Sequence, residues 1–150
     1  MSTEPPAEPL DDALLRAFGD ELVRLGRRRV FNPEGAVLEL SAFRLLWFVV
    51  EHGPRSMREI EEGLQLEQST VSRQVNAAVR QGLVRRAPAP DQHHRLVEAT
   101  DEGRRSYEHD SELRAVAYRT ALTELGARHV EELVASLRAF NDVFDSTLEQ

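Results

Sequence analysis

Residues 68–80 read Gln-Ser-Thr-Val-Ser-Arg-Gln-Val-Asn-Ala-Ala-Val-Arg, and this stretch decides how the rest of the chain is interpreted. Its valines at 71, 75 and 79 recur every four residues, which predicts a helix with these three side chains buried on one face. The polar side chains that fall on another face of that helix are Ser69, Ser72, Arg73, Asn76 and Arg80. No acidic residue occurs from Gln68 to Gln81, although exposed helix faces usually carry glutamate.

A second short helix is predicted just before this one. Ser56-Met57-Arg58-Glu59 has the spacing of a capping box, in which the serine and the glutamate satisfy amides at the start of a helix. Met57, Ile60 and Leu64 then form one short apolar face, and residues 63–66 form a turn. Gly82 directly follows the helix predicted over residues 68–80, and a glycine at this position typically ends a helix in the left-handed conformation. Two short helices joined by a tight turn are therefore expected over residues 56–82.

The flanking sequence completes a mainly α fold with a small β-hairpin. Residues 83–86 and 96–100 are short strand-like runs, and the polar stretch 87–94 between them contains two prolines. Helical spacing of apolar residues also predicts a helix from Leu10, an apolar helix from about Ser41 that is buried on most faces, and long helices from about Asp101 and Gly126. This order is that of a winged helix-turn-helix.

The side chains of the 68–80 helix suit contact with a nucleic acid. Small hydroxyl side chains allow a close approach, arginine pairs with guanine through two hydrogen bonds, and asparagine pairs with adenine in the same way. Gln68 and Thr70 complete the candidate set on this helix. The hairpin adds candidate wing contacts for the minor groove, which are Arg86, His93 and Arg95. Asp91 has the spacing to pair with Arg95 and stabilise the wing.

Composition bounds the remaining possibilities. The 150 residues include no cysteine, which excludes disulfides and thiolate chemistry. The net charge is −7, yet residues 66–100 carry five arginines against three acids, or +2. No nucleophile elbow, phosphate loop, paired metal motif or cofactor motif occurs, so we expect neither an enzyme nor a metal or cofactor site. No apolar run approaches the roughly 18 residues of a membrane span, and a cytoplasmic protein is expected.

The segment from about Ser56 to Gly103 resembles the MarR family of bacterial transcription regulators. The resemblance rests on residues 68–73, on 82–86, on Asp91, and on 99–103, which occur at the family's spacing. It implies a homodimer that binds a pseudo-palindromic DNA operator as a repressor relieved by a small molecule. The acidic, proline-rich start predicts a disordered leader over 1–9, and the chain length predicts one domain over 10–150. The resemblance implies a DNA-binding lobe at about 54–100 and dimerisation helices at about 10–30 and 101–149. Carried over by position, the groove contacts are Ser69, Thr70, Ser72 and Arg73.

Three departures from the family pattern bear on function. Gln65 stands where glycine is usual, Glu67 where serine is frequent, and His93 where the wing usually carries arginine, so that either His93 or Arg95 makes the wing contact. Charged histidines at the tip would also make DNA affinity depend on pH. The sequence does not identify an effector site. The resemblance suggests a pocket lined by Phe18, Phe43, Arg44, Trp47 and Tyr118, but ordinary core packing is the favoured interpretation of each residue. A winged-helix module that binds proteins and not DNA is the alternative.

Overall fold

The structure is a computed structural model that describes residues 10–28, 32–90 and 94–148, without the side chain of Arg28. It divides into two compact units, Met1–Asn32 and Pro33–Gln150. The first unit holds α1 (Asp12–Arg28), an amphipathic helix. The elements of the second unit are, in chain order, α2 (Leu40–Glu51), β1 (Arg55–Ser56), α3 (Met57–Leu64), α4 (Gln68–Arg80), β2 (Val84–Pro88), β3 (Arg95–Ala99), α5 (Asp101–Leu125) and α6 (Ala127–Leu148).

Helix α3 begins with the capping box that the sequence predicted. The Ser56 hydroxyl accepts a hydrogen bond from the Glu59 amide at 3.3 Å, and the Glu59 carboxylate accepts one from the Ser56 amide at 2.8 Å. Because these bonds favour the charged carboxylate, the pKa of Glu59 lies below its usual value. The cap therefore fixes where the helix pair starts.

The hairpin is part of a three-stranded antiparallel sheet with the order β1-β3-β2. Strands β2 and β3 pair from Val84 with Ala99 to Pro88 with Arg95, and the two-residue strand β1 pairs with β3 at its edge. Strand β1 was not predicted, because a two-residue strand is too short to produce a periodic pattern. The sheet ties the start of α3 to the hairpin, so that the hairpin has a fixed base.

One apolar core holds the second unit together. It is formed by α2, α3, α4 and the sheet, and its fully buried members are Leu45, Leu46, Ile60, Val71, Val75, Val84 and Val97. Gly103, in the first turn of α5, packs directly under the hairpin base, where a Cβ atom would collide with the carbonyl oxygen of Leu83. The Thr100 hydroxyl caps α5 at the Gly103 amide, as predicted. The hairpin base and α5 are thereby joined closely.

Helix α5 also fixes the start of α2. The carboxylate of Asp110, which is fully buried, accepts hydrogen bonds from the amides of Val37 and Leu38, each at 2.9 Å. Tyr107, one turn earlier, donates to the Glu51 carboxylate at 2.8 Å, and burial raises the pKa of its hydroxyl. These polar contacts hold both ends of α2 against α5.

The structure corrects one prediction of burial and confirms another. Val79 is 38% exposed, and Ala78 is buried in its place beside Val71 and Val75. The reason is helix geometry: seven residues return to within about 20° of the same direction, whereas eight overshoot by about 80°. Helix α2 is buried or half-buried at nine of its twelve positions, as predicted, although Trp47 is 41% exposed.

The second half of α5 and helix α6 differ from the rest of the second unit in the exposure of their side chains. The second half of α5 and the whole of α6 lack buried residues among those described. The large apolar side chains exposed there are Val116, Tyr118, Leu122, Leu125, Leu133, Val134, Leu137, Phe140, Val143, Phe144 and Leu148. Helix α1, taken by itself, also leaves apolar side chains exposed, among them Leu14, Leu22 and Leu25. Among the described residues, most of the large apolar side chains on these long helices are therefore exposed.

Candidate nucleic-acid interface

The turn between α3 and α4 is built on a left-handed residue. Gln65 has φ 52° and ψ 50°, and it is the one non-glycine residue with positive φ among those described. The Leu66 amide donates to the carbonyl of Glu61 and the Gln65 amide to that of Glu62, which is the hydrogen-bond pattern of a Schellman motif. The sequence anticipated this strain, because a glycine is usual at that position and glutamine lacks its freedom.

Helix α4 is anchored on one face and open on the opposite one. Val71, Val75 and Ala78 are buried in the core. The residues exposed along the opposite face are Ser69, Arg73, Asn76 and Arg80, which we call the α4 strip. Gln68 is exposed at the start of the helix, and Thr70 and Ser72 are half-buried at the edges of the strip. The structure thus brings all the helix residues predicted as contacts to one side of α4 or to its N-terminal end.

The strip joins the hairpin through one hydrogen bond. The Arg86 Nη2 atom on β2 donates to Asn76 Oδ1 at 2.9 Å. Sequence reasoning named both residues but missed their contact, because the strand-to-helix placement that brings them together leaves no periodic pattern in the sequence. The pairing also bears on the prediction that Asn76 binds adenine, since that interaction uses the same oxygen as an acceptor.

Two neighbouring arginines of the hairpin have different environments. Arg85 forms an ion pair across the strands with Glu98, with an Nε to Oε1 distance of 2.6 Å. Arg86, the next residue, points to the other face of the sheet and contacts α4. Arg95 is exposed at the start of β3. The predicted wing residues Asp91 and His93 lie outside the described residues, and so does the predicted pairing of Asp91 with Arg95.

The charge on this side of the second unit is positive. Among the described residues, Arg73, Arg80 and Arg95 form no ion pair or hydrogen bond through their side chains, and Arg86 is bound to a neutral amide. Glu67, just before α4, is exposed and does not cap the helix. In the described part of the chain, α4 and the hairpin therefore carry four guanidinium groups without a carboxylate partner, and α4 also presents its N-terminus; both features attract anions.

The residues considered for an effector site have separate surroundings. Phe43 packs against Tyr107 on α5, with ring centroids 5.4 Å apart, and the Arg114 guanidinium lies 4.1 Å from its centroid. Trp47 contacts His52 at the end of its own helix, and Arg44 reaches the carbonyl oxygen of Leu64 at 3.4 Å. Tyr118 is exposed on α5, while Phe18 belongs to the other unit. These contacts show that Phe43 packs between helices, and they do not indicate a ligand at the other four residues.

In residues 10–28, 32–90 and 94–148, no three histidine, aspartate or glutamate side chains are grouped as a metal ion would require. Over the same residues, no helix combines the length and the apolarity needed to cross a membrane.

Comparison with known proteins supports the fold. The MarR family model matches residues 38–105, which contain α2, the helix pair and the hairpin. A search of curated proteins found no match.

Solved structures match over nearly their full length. A probable transcriptional regulator from Pseudomonas aeruginosa has a TM-score of 0.68 and 23% identity, covering 85% of this chain and 98% of its own. A MarR-family transcriptional regulator from Rhodococcus sp. RHA1 has a TM-score of 0.69 and 21% identity, covering 87% and 96%. Wild-type MarR from E. coli, in its apo form, has a TM-score of 0.65 and 20% identity, covering 89% and 98%.

These comparisons confirm two predictions. The fold class is mainly α with a small sheet, in the winged helix-turn-helix arrangement of the solved regulators. The resemblance noted from residues 56–103 is confirmed by a match that extends from 38 to 105. That segment, which holds the α4 strip and the hairpin, is similar to the MarR family, as the sequence predicted.

Proposed function

We propose that this protein is a sequence-specific regulator of transcription that binds double-stranded DNA as a homodimer in the cytoplasm. One observation carries the proposal: α4 presents an exposed, acid-free strip with arginines at 73 and 80 beside an arginine-bearing hairpin, in a chain whose net charge is −7. A positively charged region on a protein of negative net charge favours an anionic partner at that region. We propose no catalytic activity for this protein.

The shape of the lobe fits duplex DNA. A helix fits the major groove of B-DNA, which is about 12 Å wide, and its N-terminal residues approach the base edges. Ser69 and Arg73 occupy the first two turns of α4, where short and cationic side chains suit that approach. A hairpin beside the helix follows the backbone toward the minor groove, where Arg95 finds strong negative potential.

A second copy of this chain accounts for the uncovered apolar surface. Helix α6 exposes a stripe that includes Leu133, Leu137, Phe140 and Phe144, and the last two rings stack at 5.5 Å. Monomeric proteins seldom leave contiguous apolar surface of this extent open to water. We propose that a homodimer covers this stripe and the apolar face of α1, and that its two α4 helices enter successive major grooves, with half-site centres about 10 bp apart.

The direction of regulation rests on the family resemblance. Repression relieved by a small molecule is the mode that the resemblance implies, and we propose it for this protein. The solved relatives are described as transcriptional regulators, which agrees with a regulatory role.

The alternative of a protein-binding module finds less support in the structure. Hot spots of protein interfaces are usually large aromatic side chains or arginine in well-packed pockets. The exposed apolar residue on α4 is Val79, whose side chain is small and lies at the flank of the α4 strip. The strip itself is polar and cationic, which suits DNA better than a protein surface.

Footprinting on the DNA beside the protein's own gene tests the proposal. We expect a protected region of about 20 bp containing two related half-sites, and we expect weaker binding to a random duplex of equal length. Candidate effectors should weaken protection if the protein is a ligand-relieved repressor. Failure to bind any duplex more tightly than random sequence, even in dilute salt, would refute the proposal.

A further inference from the structure

The hydrogen bond between Arg86 and Asn76 fixes the orientation of the Asn76 amide. A guanidinium group donates hydrogen bonds and accepts none, so the atom of Asn76 that faces it at 2.9 Å is the oxygen. The Nδ2 atom, with its two N–H donors, therefore points away from the hairpin. The usual ambiguity between the oxygen and nitrogen of an asparagine amide is thus removed by chemistry.

This orientation changes what Asn76 offers to a base. Pairing with adenine requires Oδ1 to accept from the base amino group while Nδ2 donates to N7. Here Arg86 takes one of the two acceptor positions of Oδ1 and places a cation beside the other, which disfavours the approach of a second donor, whereas the Nδ2 donors stay available. We infer that Arg86 acts as a positioning residue that makes Asn76 a donor, so that the α4 strip favours guanine over adenine at the base pair facing Asn76.

The rest of the strip has the same polarity. Arg73 and Arg80 supply donors alone, and the acceptors of the strip are the Ser69 hydroxyl and the Asn76 oxygen that Arg86 already engages. Guanine presents two acceptors, N7 and O6, on its major-groove edge and no donor, whereas adenine presents a donor that would meet Arg86 and the amide N–H groups. A surface rich in donors therefore matches guanine better than adenine, whose amino group needs an acceptor.

In vitro selection of duplexes from a random pool tests this inference, which rests on the proposed DNA binding. The base pair that faces Asn76 is identified as the one whose preference disappears in Asn76→Ala, and we expect guanine there in the wild-type motif. In Arg86→Met, which keeps an apolar stem but cannot donate, Oδ1 is released. We expect the ratio of guanine to adenine at that position to fall by roughly threefold to tenfold, the value of one hydrogen bond.

Arg85→Met is the matched control. Arg85 adjoins Arg86 in the chain but pairs with Glu98 on the other face of the sheet, so the selected motif should not change. A wild-type motif with adenine at the Asn76 position, or Arg86→Met with an unaltered guanine preference, would overturn the inference. If Arg86→Met selects no sequence, the test rests on Asn76→Ala alone. Loss of a guanine preference in Asn76→Ala would support the inference, whereas loss of an adenine preference, or no change, would overturn it. A wild-type protein that selects nothing refutes the proposed function itself.

Discussion

Helices α4 and α6 both leave a long face exposed, and the two faces differ in chemistry. The open face of α4 carries serine, asparagine and arginine, while its opposite face is buried in the core. The open face of α6 carries leucine, valine and phenylalanine, and no described residue of this helix is buried. One helix is therefore complete within its own lobe, whereas the other exposes the side chains that normally stabilise a helix by burial.

This contrast separates two requirements for function. The α4 strip needs only a rigid lobe, and the capping box, the Schellman turn and the hairpin supply that rigidity within one chain. Helix α6 exposes apolar side chains that, in the proposed dimer, a second copy of the chain covers. If the comparison is correct, substitutions on α6 will change assembly first, and substitutions on the strip will change DNA binding without changing assembly.

The largest effect is expected for Leu137→Glu on α6. Each dimer would bury two carboxylates in an apolar interface, which costs several kcal/mol per pair. Since 1.4 kcal/mol corresponds to a factor of ten, the dimer dissociation constant should rise by about 100-fold or more. Sedimentation measures the change in the monomer–dimer equilibrium.

Ala139→Glu provides the control with the same charge on the same helix. Residue 139 lies on the side of α6 away from Leu137, about 160° around the helix axis. It should leave the sedimentation of the protein unchanged. An equal loss of dimer in both variants would mean that charge, and not apolar contact, governs assembly.

The next effect in size is expected for Arg73→Ala on α4. If Arg73 binds a base, its removal should weaken binding to the operator by on the order of 1–3 kcal/mol, with a smaller loss on random DNA. Titrations of both duplexes measure the two values. Arg128→Ala, which removes an equal charge from the exposed side of α6, serves as the control. Equal losses of affinity for operator and random DNA would show that Arg73 contacts a phosphate and not a base.

The wing should show its effect in the salt dependence of binding. If Arg95 neutralises a phosphate, Arg95→Ala should reduce the slope of log K against log salt by about one unit per protomer. Arg85→Ala is the matched control, because the guanidinium of Arg85 is already paired with Glu98 and contributes little to counterion release. A slope equal to that of the wild type would show that Arg95 does not touch DNA.

Local signals in the sequence predicted most of the elements correctly. The Ser56 cap, the Thr100 cap and the glycine at 82 each depend on residues within a few positions, and each was found where expected. The exposed face of α4 was also correct, because it follows from helix periodicity alone. Such features need no information about distant parts of the chain.

The features that sequence reasoning missed are set by tertiary contact. Strand β1 exists because β3 offers it an edge, and the bond from Arg86 to Asn76 depends on how the hairpin lies on α4. Val79 was wrongly assigned to the buried face, because residues spaced by four drift around the helix by about 40° at each step. Predicting these details requires the relative placement of elements, which periodicity does not contain.

The smallest effect concerns the turn that positions α4. Helices α3 and α4 end with the same pair of hydrogen bonds, but the left-handed residue is Gln65 in one and Gly82 in the other. Replacing Gln65 by glycine should raise the free energy of unfolding by about 0.5–1 kcal/mol, because it removes the crowding of a Cβ atom in this conformation. Denaturant titration measures this change.

The exchange in the opposite direction serves as the control for that substitution. Gly82→Gln should lower the free energy of unfolding by a similar amount, since no neighbouring atom lies within 4 Å of an added Cβ and the cost is that of the backbone alone. Operator affinity should stay the same in Gln65→Gly, because the α4 strip is untouched. A variant that gains stability but loses affinity would show that the strained turn tunes the placement of α4, and that the polar face is less independent of its lobe than its contacts indicate.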